Sequence, residues 1–306
     1  MSGAPFSFVD RPARRKGRRV LVHSFSGFMD AGSAAKIAVD HLAKSCETRL
    51  IGEFDSDAII DYRARRPRMT FEVNKFTGVE WPTIRLHEVS DDRGARFLLL
   101  SGPEPDYRWQ AFTDTVLELV EELNVDLTVG LIGIPWPAPH TRPVGVSVHA
   151  TDPDLIRGHP SPLGSLEIPG HVAGLLELRL GEAGCDAMGL AVQVPHYLVQ
   201  FDYPRAAIAL LRGLAGAAGL SLSTDGLEEA ASTAEQEIER QTQGSEEFAP
   251  LLSTLESQYD AATKGEVTAA GEIAGVPLLD AEQIGAQVER FLAEMDSHRP
   301  DSGPSA

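Results

Sequence analysis

The sequence is short of cysteine, of positive charge and of long apolar runs. Only Cys46 and Cys185 occur in 306 residues, which excludes a disulfide framework and points to a reducing compartment. The longest purely apolar stretches are a few residues, such as Phe97-Leu98-Leu99-Leu100, far below the roughly 20 that span a bilayer. No signal-peptide or anchor pattern is visible near Met1, so a cytoplasmic location is expected. Lysine and arginine number 27 against 45 acidic residues, a formal net charge of −18. That balance argues against nucleic acid and anionic membranes as partners, because both need basic surface. The one basic run, Arg11 to Arg19, reads as a solvated arm.

Signatures of chemistry are missing as well. In Ser26-Gly27-Phe28-Met29-Asp30-Ala31-Gly32 the two glycines lack the third of a dinucleotide fingerprint, and no Gly-Lys-Ser/Thr follows as in a P-loop. There is no G-x-S-x-G elbow, no H-E-x-x-H, and the cysteines are not at metal spacing. No metal and no cofactor are expected, and a non-enzymatic role is favoured.

What is present is an α/β rhythm in a chain that is 42% apolar. Arg19–Phe25, Arg49–Phe54, Arg96–Leu100, Asp126–Gly133, Val144–His149 and Asp186–Val194 read as strands. Helices are expected over about 35–43, 109–123, 172–180 and 204–218, the first capped by the Asp30 carboxylate. Alternation of this kind predicts a three-layer α/β/α sandwich with a mostly parallel sheet. Between them, Thr70–Val73 and Thr83–Val89 alternate apolar and polar residues around Gly78, which reads as a hairpin. Its apolar side chains either fold back on the domain or are covered by another subunit.

After Gly219 only helices are expected, starting near Asp225, Ser245 and Asp280. From Ala206 onward there are 5 basic and 18 acidic residues, so most of the negative charge lies in this last third. The expected organisation is a basic arm over 1–18, a core over 19–219 with an insertion at about 67–90, an acidic helical domain or lid over 224–296, and a tail over 297–306.

In an open parallel sheet, ligands bind beyond the carboxyl ends of the strands. Here that edge offers Gly27, Asp30, Gly102, Gly133 and Pro135 for holding a polar ligand. Glu104, His149 and His196 are candidates for acid–base work. Two clusters could recognise a carboxylate or phosphate: Arg63, Arg65 and Arg66, and the proline-fenced His140-Thr141-Arg142. Pairing of these arginines with the acidic helices is the competing explanation. Phe71, Val73, Phe76, Val79 and Trp81 are the expected oligomer contacts.

The ordered series Gly27–Gly32, Asp61-Tyr62-Arg63-Ala64-Arg65-Arg66-Pro67, Gly133-Ile134-Pro135, His140-Thr141-Arg142-Pro143, Pro195-His196-Tyr197 and Pro204-Arg205-Ala206-Ala207 resembles the PAC2 family. That family is related to the proteasome assembly chaperones, and the match resembles its long actinobacterial branch, which continues through Val288–Leu292. The resemblance implies a core like that of nucleoside phosphorylases, a hairpin used in forming a trimer, and a helical lid. It implies no established activity. Two readings stay open: a non-enzymatic binding or assembly factor, in proteasome biology, whose acidic helices meet a protein partner; and a small-molecule binder, hydrolase or phosphorylase-like enzyme using the strand-end crevice.

Overall fold

The computed structural model describes residues 5–12, 17–157, 167–242 and 248–263, with the backbone of 272–273 and 276–277. The third C-terminal helix, Ser245 and Val288–Leu292 lie outside the described residues. The chain divides into two compact units. The first comprises 1–136, 143–161 and 170–243; the second comprises 137–142, 162–169 and 244–306.

In the first unit, the strands are β1 (Phe6–Phe8), β2 (Val20–Ser26), β3 (Glu47–Phe54), β4 (Arg68–Glu72), β5 (Lys75–Glu80), β6 (Arg85–Ser90), β7 (Arg96–Pro103), β8 (Leu127–Trp136), β9 (Val146–Ala150) and β10 (Ala187–Pro195). Eight of them form one sheet in the order β1-β3-β6-β7-β2-β8-β10-β9. Its centre, β7-β2-β8-β10, is parallel, and the pairings on both flanks are antiparallel.

Helices cover both faces, as the α/β/α reading requires. Strand residues alternate between faces, so Val20, Val22, Val129, Leu131, Leu190 and Val192 point one way. They pack against α1 (Ala34–Ser45) and α5 (Pro204–Ala218), whose alanines let helix and sheet approach closely. Leu21, Phe25, Leu98 and Leu100 point the other way, onto α3 (Trp109–Glu122) and α4 (Val172–Glu182). Full burial of one such side chain contributes about 1.5–3 kcal/mol. A short helix, α2 (Ser56–Ile59), follows β3. The acidic helix α6 (Leu227–Thr242) buries Leu227, Ala231 and Ile238 in the α1/α5 core and so belongs to this unit.

Asp30 caps α1 from a distance. A turn through Gly32 (φ 65°) and Ser33 (φ 49°) separates them, and the carboxylate accepts from the N–H groups of Ala35 at 2.8 Å and Lys36 at 3.1 Å.

The hairpin has different partners from those read in the sequence. Thr83–Val89 does not fold back on Thr70–Val73; instead β6 inserts between β3 and β7 in the main sheet. The hairpin is β4–β5, with Glu72 opposite Lys75 and its turn at Val73-Asn74 rather than Gly78. The longer alternating run of β6 has one face buried, and that burial decides its pairing. Every residue of β4 and β5 is exposed.

The second unit contains α7 (Phe248–Thr263) and a short strand pair, β11 (Glu272–Ile273) and β12 (Val276–Pro277).

Candidate functional site

The register of the central strands places four residues in one row on the α3/α4 face. His23 of β2 pairs with Gly130 of β8, Gly130 with Gly189 of β10, and Gly189 with His149 of β9. The two middle positions must be glycine. A Cβ on Gly130 would stand 2.8 Å from Cε1 of His23, and one on Gly189 would overlap the His149 ring. The two imidazoles therefore lie over the glycines and fill the space that side chains there would take. The next row continues the small floor with Ala191, beside Ser147, whose hydroxyl accepts a hydrogen bond of 2.9 Å from the Gln193 amide.

Helix α4 supplies the other groups. Glu177 reaches the His149 ring, with Oε1 2.8 Å from Nδ1. His171 caps the helix: its Nδ1 accepts from the Gly174 N–H at 3.1 Å, which leaves the proton on Nε2 in the neutral ring. Glu104, from the end of β7, accepts the Val172 N–H at 2.7 Å through Oε1. A carboxylate at that helix start also complements the helix dipole.

The three rings differ in character. His23 is 3% exposed and its Nδ1 has no partner among the described residues. Burial lowers its pKa to about 4, outweighing the attraction of Glu177, so it is neutral at pH 7. Burial also lowers His171. His149, half exposed on the edge strand β9, is raised by its hydrogen bond to Glu177. A carboxylate-oriented imidazole beside a neutral buried one is an arrangement able to exchange a proton with a bound molecule. Among the described residues no three His, Cys, Asp or Glu side chains could hold a metal ion.

Of the sequence candidates, Glu104 and His149 meet in this cluster, both electrostatically linked to His171. The glycines at the strand ends are filled by protein. Gly27 faces the Glu104 carboxylate, where a Cβ would lie 2.6 Å from Oε2; Gly102 faces the backbone of Thr83 and Ile84; a Cβ on Gly133 would lie 2.5 Å from the Ala31 carbonyl oxygen. Asp30 is engaged as a cap, and burial raises its pKa. Pro135 lies in β8, paired with Val194. The His196 ring nitrogen Nδ1 is buried without a partner, and burial lowers that pKa despite a hydrogen bond with the Trp136 backbone. Arg63 and Arg66 are exposed; Arg65 between them donates to the Glu104 carbonyl and pairs with Asp106 at 3.6 Å. Arg142 is held inside the second unit by Asp260 at 2.8 and 2.9 Å and Glu256 at 3.2 Å, and the buried His140 ring lies 6.3 Å from Phe248.

Sequence reasoning missed His23, His171 and Glu177. His23 lies within the run read as a strand, and the signal that could have raised it is an ionisable residue inside a run that otherwise reads as buried. The glycines at 130 and 189 read only as small residues until the register put them side by side.

A mixed sheet between helical layers, carrying a His/Glu cluster on one face and an exposed hairpin, defines the class of protein. The chain belongs to the PAC2 family, whose model matches residues 24–242. It is similar to a Mycobacterium tuberculosis protein of unknown function, Rv2714, with 38% identity over 94% of this chain and 96% of that one, at a TM-score of 0.81. A Corynebacterium glutamicum protein of unknown function shares 34% identity over 85% and 98% of the two chains, at a TM-score of 0.79. The M. tuberculosis proteasome-assembly chaperone homologue Rv2125 shares 32% over 76% and 99%, at 0.71. Comparison with curated proteins finds none that matches. Among the described residues no helix is long and apolar enough to cross a membrane.

Proposed function

We propose that this chain is a non-enzymatic, cytoplasmic assembly factor of proteasome biology that works as a homotrimer. The β4–β5 hairpin is the contact between copies, and the acidic helices are the surface offered to a protein partner. The observation that carries the reading is the hairpin. Met69, Phe71, Val73, Phe76, Val79 and Trp81 are all exposed, Val73 at 99% and Phe76 at 65%. Val73 also sits at φ 58°, a conformation that a β-branched residue rarely adopts. An apolar patch on a strained arm is a poor surface for a monomer and a good one for a subunit interface.

Kinship with a proteasome-assembly chaperone homologue at 32% identity supports the choice of partner class. The acidic surface is α6, whose Glu229, Glu237 and Glu239 are exposed while Leu227, Ala231 and Ile238 are buried. Removing this helix would strip the core, so the informative variant is charge reversal at Glu229 and Glu239. Capture of proteasome subunits by the wild-type chain, lost on this reversal with the oligomer intact, is the expected result. Equal capture by both proteins, or capture by neither, counts against partner binding through α6.

A further inference from the structure

The register of the β4–β5 hairpin gives it two unlike faces. Residues directly opposite on paired strands project to the same side, so Met69 shares a face with Val79, and Phe71 with Phe76. The shift in register after Thr70 puts one extra residue, Thr77, into β5. That bulge lets Phe76 and Val79, three positions apart, reach the same side. The opposite face carries Arg68 across from Glu80, Thr70 from Gly78 and Glu72 from Lys75. Its two pairs of opposite charge suit it to water. Only the apolar face needs a cover.

We propose that the apolar face of the hairpin lies on a rim formed by Phe28 and Phe201 of a second copy of this chain. The proposal rests on the trimer reading and names the surface that receives the arm.

Three observations carry it. Two strands alone are marginally stable in water and need a surface to lie on, yet their own chain leaves Met69, Phe71, Phe76 and Val79 exposed. Symmetry is the second. Hairpin against hairpin is a two-fold contact that closes at two copies, whereas a ring of three requires two different patches on every copy. The rim is such a patch. Phe28 and Phe201 are 43% and 52% exposed. Their loops are joined where the Gly32 N–H donates to the Val199 carbonyl at 2.8 Å and the Tyr203 N–H donates to that of Gly32 at 2.9 Å. Exposed Leu178, by contrast, is a single apolar residue on α4 between Glu177 and Arg179. The third observation is charge. Arg66 and Arg68 at the hairpin base are exposed and in no ion pair among the described residues, and so is Asp202 beside Phe201. Opposite charges at the two edges of the contact fix its orientation.

Cross-linking tests the contact. Phe76→Cys and Phe201→Cys are combined in the full-length chain with Cys46→Ser and Cys185→Ser, and treated with a short bis-maleimide, which tolerates an offset that a disulfide does not. Two and three linked chains are expected on a denaturing gel, and Phe76→Cys alone should give single chains. Linked dimers from Phe76→Cys alone, the product of hairpin meeting hairpin, would overturn the proposal. So would single chains from the doubly substituted protein. Sedimentation of Phe201→Asp in the otherwise wild-type chain serves if the cysteine variant fails to fold. It should release 33.0 kDa subunits, while Leu178→Asp should keep the assembly; full assembly of Phe201→Asp overturns the proposal too. A wild-type chain that is itself monomeric overturns this contact and the assembly reading together. An assembled wild type without the 76–201 link overturns this contact alone.

Discussion

His149 stands opposite Gly189 in the register of β9 and β10, and its imidazole lies directly over that glycine. The ring is held from the other side by Glu177, 2.8 Å from Nδ1. Any side chain at 189 must therefore displace the ring or move the strand. Gly189→Ala is expected to cost about 1–3 kcal/mol in urea denaturation, the range for overpacking a filled core. Displacement also parts His149 from Glu177, so the raised pKa of His149 should fall back toward 6.5 in a histidine NMR titration. An unchanged titration with unchanged stability would show that the glycine is not required.

His23 ties stability to acidity. Its folded pKa is about 4 and its ordinary value 6.5, so between these limits the unfolded chain binds a proton that the folded chain refuses. Unfolding is then favoured as pH falls from 6.5 to 4, by on the order of 3 kcal/mol at full extent, and nothing is lost above pH 7. In His23→Phe this contribution disappears. His171 and His196, lowered by burial too, act alike in both proteins and cancel in the comparison. Urea midpoints at pH 7, 6, 5 and 4 should show a shallower acid loss in the variant; parallel curves would contradict the assignment.

Arg142 anchors α7 within the second unit through Asp260 and Glu256. Its pairing raises its own pKa, chiefly through the Asp260 hydrogen bond. Arg142→Ala is expected to speed amide exchange across Phe248–Thr263 and leave the central strands unchanged. Arg142→Lys, which keeps the charge but loses the planar fork, should fall between. Equal exchange in all three proteins would remove the anchor.

The layered core was legible because its signals are local and periodic: Arg19–Phe25 and Asp126–Gly133 read as strands where β2 and β8 lie, and the 109–123 spacing gave α3 nearly to the residue. The hairpin was misread because Thr83–Val89 alternates as well as β4 does. Its true partners are β3 and β7, which are not neighbours in the sequence. The site was half legible. Glu104 and His149 stood beside strand ends, where loops carry chemistry, whereas His23, His171 and Glu177 join them only through strand register and the placement of α4. Arg142 was placed against acidic helices or a ligand alike, and only geometry could show the carboxylates of Asp260 and Glu256 around it.

The hairpin remains the feature on which the assembly role stands. A charge at its apolar centre should separate the copies without touching the fold, since Phe76 is 65% exposed and meets Phe71 edge-on, with ring centroids 5.0 Å apart. Sedimentation equilibrium of the wild type and Phe76→Asp is the most direct measurement. The expected masses are about three times the 33.0 kDa chain for the wild type and 33.0 kDa for the variant. A wild-type chain that sediments at 33.0 kDa, or a variant that keeps the full assembly, would contradict the hairpin's role.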